Sequence, residues 1–177
     1  MKNNAISIRG YIACLGLWNE GIDKGRWIDF PIDSDEFNEI LSDIGCDDEH
    51  EEYFFPDWES PVNFGEYASY DHVNDVAERL EDIGEDDEII EAILYEYSCN
   101  IEEGLTILED GNYTFYDNCD DMGDVARQVT ADFDRLGCNH SKDIDFLLRY
   151  FDYEAYGRDL EIEGHYIPAG GGYIELY

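Results

Sequence analysis

The sequence predicts a mixed α+β fold of three small lobes in series, elongated, and three observations carry that expectation. First, 177 residues are too many for a mini-domain and too few for two full-sized domains. Second, aromatic and β-branched runs bounded by turn residues occur near both ends, whereas apolar residues in the middle recur at spacings of three and four; these are the marks of strands and of helices. Third, 45 Asp and Glu stand against 10 Lys and Arg, a net charge of −35, yet 44% hydrophobic and 15% aromatic content supplies enough apolar surface to fold. The lobes are expected at 1–61 (α+β), 62–111 (acidic and helical) and 112–177 (α+β).

Residues 6–15 and 26–32 read as strands separated by a turn at Asn19-Glu20-Gly21. After Pro31, Ser34 is the expected N-cap of a helix over 35–44, with Phe37, Ile40, Leu41 and Ile44 on one face and Gly45 as its stop. Residues 52–55, closed by Pro56, return as a third strand. Beyond Pro61 the period changes. Asp71 is expected to cap a helix over 72–83 that turns Val73, Val76, Ala77, Leu80 and Ile83 inward and stops at Gly84. Asp86 or Asp87 starts a second helix through Tyr97, with Ile89, Ile90, Ile93, Leu94 and Tyr97 as its apolar face, and Asn100 caps a third through Leu108. Residues 112–116 then read as a strand, and Asp120 or Asp121 caps a helix to Leu136, stopped by Gly137. A further helix is expected at 144–150, and a hairpin of 161–167 and 173–177 about Pro168-Ala169-Gly170-Gly171-Gly172.

The charge is not spread evenly. Residues 27–126 hold one cation, Arg79, against 33 acids, for −32, while 1–26 stand at +2 and 127–177 at −5. So dense a field excludes nucleic acid and anionic membrane as direct partners and calls for a basic one. No apolar run approaches a membrane span and the opening residues lack a secretory pattern, so a cytoplasmic protein is expected. Five cysteines without a CxxC spacing suit free, mostly buried thiols in a reducing compartment.

Catalytic and ligand patterns are each met and set aside. His50, His72, His140 and His165 form no HxxxH pair for zinc. Residues 117–121 have acids at the first and fifth places, but Cys119 at the third and the glycine position break the calcium-loop pattern. The carboxylates beside Cys119 raise rather than lower a thiol pKa, and Gly170-Gly171-Gly172 lacks the Lys-Ser/Thr and helix of a phosphate loop. No enzyme, catalytic residue, metal or cofactor is expected.

A net −32 within a hundred residues of good apolar periodicity strains a compact fold by self-repulsion, which points to binding rather than solvation. Halophilic adaptation would load the nearly neutral ends as well. Duplex DNA carries one charge per about 1.7 Å, so 35 charges equal roughly 60 Å of duplex, longer than the roughly 40 Å of a compact globule of this length. The expected DNA-mimic surface comprises Asp33, Asp35, Glu36, Glu39, Asp43, Asp47, Asp48, Glu49, Glu51, Glu52, Asp57, Glu59, Glu66, Asp71, Asp75, Glu78, Glu81, Asp82, Glu85, Asp86, Asp87, Glu88, Glu91, Glu96, Glu102, Glu103, Glu109 and Asp110. The alternative is an acidic chaperone or sequestering module for basic DNA-binding proteins, which would bind unrelated polycations equally.

Several segments carry a resemblance: Tyr11-Ile12-Ala13-Cys14-Leu15, Trp18-Asn19-Glu20-Gly21, Gly25-Arg26-Trp27-Ile28-Asp29, Cys119-Asp120-Asp121-Met122 with Asp124-Val125-Ala126-Arg127, and Tyr153-Glu154-Ala155-Tyr156-Gly157-Arg158-Asp159-Leu160. In order and spacing the chain resembles, along essentially its whole length, the ArdA-type antirestriction proteins of conjugative plasmids and transposons. The resemblance implies a three-lobed, elongated homodimer that mimics DNA and occupies the DNA-binding groove of type I restriction-modification enzymes, with the methyltransferase core as partner. Among the matched residues Trp27, Tyr156 and Leu160 are expected in the core, and Arg158 paired with a local acid. Two −32 surfaces repel, so the dimer contact is expected in the less charged, aromatic-rich stretch 133–151.

Overall fold

Three strands from the first third of the chain, β1 (Ile8–Cys14), β2 (Arg26–Phe30) and β3 (Tyr53–Glu59), pair antiparallel in the order β2-β1-β3. The structure is a computed structural model and describes residues 6–132 and 148–177. Ile8 and Ile12 of β1 are buried with Ile28 and Phe30 of β2, while Arg9 and Tyr11 turn the other way, as period-two alternation requires. Pro56 does not end β3. The register passes from Tyr11↔Asp57 to Ala13↔Phe54, leaving Phe55 and Pro56 opposite Ile12, and an edge-strand bulge is a place where a proline's missing N–H does no harm. A short helix, α1 (Leu15–Asn19), precedes the expected turn, in which Gly21 takes φ +80.

Helix α2 (Ser34–Asp43) starts at its expected cap, one residue earlier than the sequence predicts. Asp33, not Ser34, caps it, its Oδ1 accepting from the Asp35 and Glu36 N–H groups at 2.9 Å each. Phe37, Ile40 and Ile44 face inward, Leu41 is half-buried, and Gly45 leaves the helix at φ +90. Helix α3 (Tyr70–Asp82) likewise begins ahead of Asp71, at the Ser69 cap. Tertiary contacts fix that start: Tyr70 stacks on Phe37 with 4.3 Å between ring centroids, donates its hydroxyl to the Ile32 carbonyl at 2.7 Å, and gives its N–H to the Tyr53 hydroxyl at 3.0 Å. Helices α4 (Asp87–Glu96) and α5 (Ile101–Asp110) follow. The apolar positions expected to face inward on α3 and α4 are buried, except Tyr97, which is half-buried just past α4.

The described residues group into two compact units, the first ending at Glu109 and the second beginning at Asp110. In the second, β4 (Tyr113–Asp117), β5 (His165–Ala169) and β6 (Gly172–Leu176) form an antiparallel sheet in the order β4-β6-β5. Helix α6 (Met122–Asp132) is capped by Asp121, whose Oδ1 accepts from the Asp124 N–H at 3.0 Å. Helix α7 (Tyr153–Glu163) occupies residues 161–163, where the sequence suggested a strand, and Asp152 caps it by accepting from the Ala155 N–H at 3.0 Å. The terminal hairpin is present but tighter than expected, with Ala169 paired to Gly172 and Gly171 in the left-handed region at φ +77. The expected helix end at Leu136, its Gly137 stop, and all but the end of the 144–150 helix lie outside the described residues. Cys14 and Cys119 are buried free thiols, Cys46 is half-buried and Cys99 exposed; Cys138 lies outside the described residues.

Candidate functional site

The acids expected to face a partner sit on helices, on loops and, for Asp57 and Glu59, on β3, in elements whose other side is apolar, so burying the core turns them outward. All are exposed except Asp87, which is half-buried. They are nevertheless not equivalent. Asp33 is committed to the α2 cap, and Asp47 accepts from the Glu49 and His50 N–H groups at 2.9 Å each, bonds that hold its carboxyl below its ordinary range. Asp57 accepts from the Trp58 N–H at 2.9 Å, Glu78 from Asn74 Nδ2 at 2.7 Å and Glu103 from Asn100 Nδ2 at 2.9 Å. By contrast Glu39, Glu81, Asp82, Glu85, Glu88 and Glu91 make no side-chain hydrogen bond or ion pair with the described residues, and their charge is left to solvent or to a partner.

The cations decide how much of the field remains. Arg79 on α3 reaches across to α5: its Nε lies 2.6 Å from Glu109 Oε1, its Nη2 3.0 Å from Glu109 Oε2 and its Nη1 2.7 Å from Glu102 Oε2, with Asp75 a further 3.8 Å from Nη1. The bonds to Glu109 raise the arginine's pKa and lower that of the glutamate. On the first sheet Arg9 stands in register between Asp29 and Glu59. Its Nε is 2.7 Å from Asp29, its Nη1 2.6 Å from Glu59, and its guanidinium lies 5.5 Å from the Trp27 ring centroid. Arg26 is 3.8 Å from Asp43. Cations from the first 26 residues thus neutralise acids of the middle stretch, which a charge count along the chain does not reveal.

The matched segments of the second unit explain one another. Gly157 of α7 sits against the start of α6, where a Cβ would come 2.4 Å from the Met122 carbonyl oxygen. Arg127 bonds Asp124 at 2.7 Å, approaches Glu154 at 3.6 Å and lies 5.1 Å from the Tyr153 ring centroid. Cys119, Met122 and Val125 form a core cluster with half-buried Leu160, Tyr116, Tyr166 and Tyr173 against it. Burial, then the surrounding carboxylates led by Asp124, push the Cys119 thiol up, the wrong direction for a nucleophile. Trp27 and Tyr156 are half-buried rather than wholly inside, and Arg158 is exposed.

The Tyr116 and Tyr166 hydroxyls each donate to Glu175 at 2.8 Å, one to either oxygen. Among the described residues no three His, Cys, Asp or Glu side chains are grouped to hold a metal, and no helix is long and apolar enough to cross a membrane. A search of curated proteins finds no match to the chain. The model of one family, described as antirestriction protein (ArdA), matches residues 10–175.

Proposed function

The chain belongs to the ArdA family of antirestriction proteins, and we propose that it acts by mimicking double-stranded DNA in the binding groove of type I restriction-modification enzymes. The observation that carries this reading is the state of the middle stretch: against 33 acids it has one cation, and three carboxylates surround that cation. A groove built to hold phosphates presents Lys and Arg, and carboxylates on a folded surface meet them with the same charge-assisted hydrogen bonds. The carboxylates offered first are among those without a local partner: Glu39, Glu81, Asp82, Glu85, Glu88 and Glu91. Acids that cap helices or face Arg9 and Arg79 shape the surface instead.

In this reading the protein works as an elongated homodimer whose 70 charges match about 120 Å of duplex. The copies meet through the less acidic last third of the chain, because the −32 stretches repel. The expected contact at 133–151 lies mostly outside the described residues. Small-angle scattering at micromolar concentration is expected to report an elongated dimer; a compact monomer overturns this part.

The deciding experiment mixes the purified protein with a type I methyltransferase core and its labelled target DNA. Displacement of the DNA near stoichiometric protein is the expected result. Undisturbed DNA binding at excess protein overturns the mimic, and equal affinity for unrelated polycations favours sequestration of basic proteins instead.

A further inference from the structure

We propose that Arg79 is a positioning residue for inhibition: by clamping α5 onto α3 it holds the surrounding carboxylates in the array that the enzyme's groove reads. The inference rests on the mimic reading above. Its ground is the geometry of one guanidinium, which grips Glu109 with two parallel bonds at 2.6 and 3.0 Å and Glu102 with a third at 2.7 Å. Glu102 and Glu109 lie in the first and last turns of α5, seven residues and about 10 Å apart along the helix. Holding both ends fixes the helix against sliding and rotation on α3, where a single contact would fix only a point.

Arg79 is the one Lys or Arg in 27–126 and its side chain is only 24% exposed. Without it, Asp75, Glu102 and Glu109 would repel across the α3–α5 contact. A lysine keeps the charge but not the fork, since its point-like ammonium cannot hold both oxygens of Glu109 and reach Glu102.

Charge and positioning predict opposite signs, which makes the test sharp. Arg79→Gln makes the protein more negative by one. If Arg79 only adds stability, the folded fraction of the variant binds a methyltransferase core as tightly as wild type or more so. If it positions carboxylates, binding weakens about tenfold once corrected for folded fraction, Arg79→Lys falls between, and the slope of log affinity against log salt shrinks because fewer contacts form together.

The experiment measures direct binding of wild type, Arg79→Gln and Arg79→Lys to the methyltransferase core across a salt series, with DNA displacement as a separate arm. Amide hydrogen exchange on each protein alone completes it. Weaker binding by Arg79→Gln, with faster exchange in α5 and unchanged exchange in β1–β3, is the expected result. Unaltered or tighter binding, or unaltered α5 exchange, overturns the proposal. Wild type that binds the core without displacing DNA overturns the mimic instead, and the ranking of the variants in direct binding still decides the role of Arg79.

Discussion

A methyl group at position 157 would sit 2.4 Å from the carbonyl oxygen and 2.5 Å from the carbonyl carbon of Met122, and backbone atoms cannot turn aside as a side chain can. Gly157→Ala therefore has to lift α7 off α6, and its cost outweighs the roughly 1 kcal/mol of helix propensity that alanine gains. We expect a net loss of about 1–3 kcal/mol, read as a lower urea midpoint. Gly84, with no heavy atom within 4 Å of an added Cβ and no positive φ, is the control: Gly84→Ala should be neutral or slightly stabilising. At Glu109 the bonds from Arg79 hold the carboxyl below its ordinary range. A depressed carboxylate contributes stability that is fully present above the unfolded value of about 4.3 and disappears as pH falls through the folded one. The stability gap between wild type and Arg79→Gln should accordingly be constant near neutrality and narrow below about pH 4.3, as measured by urea unfolding across pH.

Among the elements, the sheet β4-β6-β5 concentrates its polar chemistry on one carboxylate, Glu175, bonded by Tyr116 and Tyr166 from the strands on either side. Burial first, then the bond to Glu175, raises both phenols. A raised phenol favours the neutral form in the fold, so its contribution is complete below the unfolded value of about 10 and is lost as pH rises beyond it. Absorbance titration should show these two tyrosines resisting ionisation until the second unit unfolds, and Glu175→Gln should let them ionise earlier. Elements of this kind were unequally legible in the sequence. Helices α3 and α4 were clear, because Val73 to Ile83 and Ile89 to Leu94 repeat at helical spacing and are buried as that spacing implies. Their starts were less clear: a chain this acidic offers a capping residue at almost every position, and only Tyr70's contacts with Phe37, Tyr53 and Ile32 select Ser69 over Asp71. Helix α7 was hidden because Gly157 lowers its propensity for the sake of docking on α6. Pro56 reads as a strand end in the sequence because a bulge is invisible before the register is known. The acidic surface was legible as a count, whereas the pairing of Arg9 with Asp29 and Glu59, and of Arg79 with α5, exists only once strands and helices have met.

At the scale of the whole molecule, the proposed mimicry makes inhibition a sum over many contacts, and that fixes how it should respond to mutation and salt. Each carboxylate placed on an enzyme cation contributes about one unit or less to the slope of log affinity against log salt, and roughly 0.5–1 kcal/mol. Asp86→Asn or Glu91→Gln alone should therefore weaken inhibition only a few-fold. Glu85, Asp86, Asp87, Glu88 and Glu91 run from the turn after α3 into α4 with no Lys or Arg among them. Changing all five to amides should cost several kcal/mol of binding and visibly flatten the salt dependence. The fold should survive, since Asp86 precedes α4 without a side-chain capping bond and the loss of charge relieves self-repulsion in a chain of net −35. An enzyme behaves in the opposite way, with one carboxylate carrying orders of magnitude of rate. Competition assays against DNA on single amide variants throughout 27–126, each checked for folding by circular dichroism, separate the two. If one such variant, folded, lost inhibition outright, the distributed mechanism would be wrong, because no single phosphate equivalent can carry the affinity of a surface that works by their number.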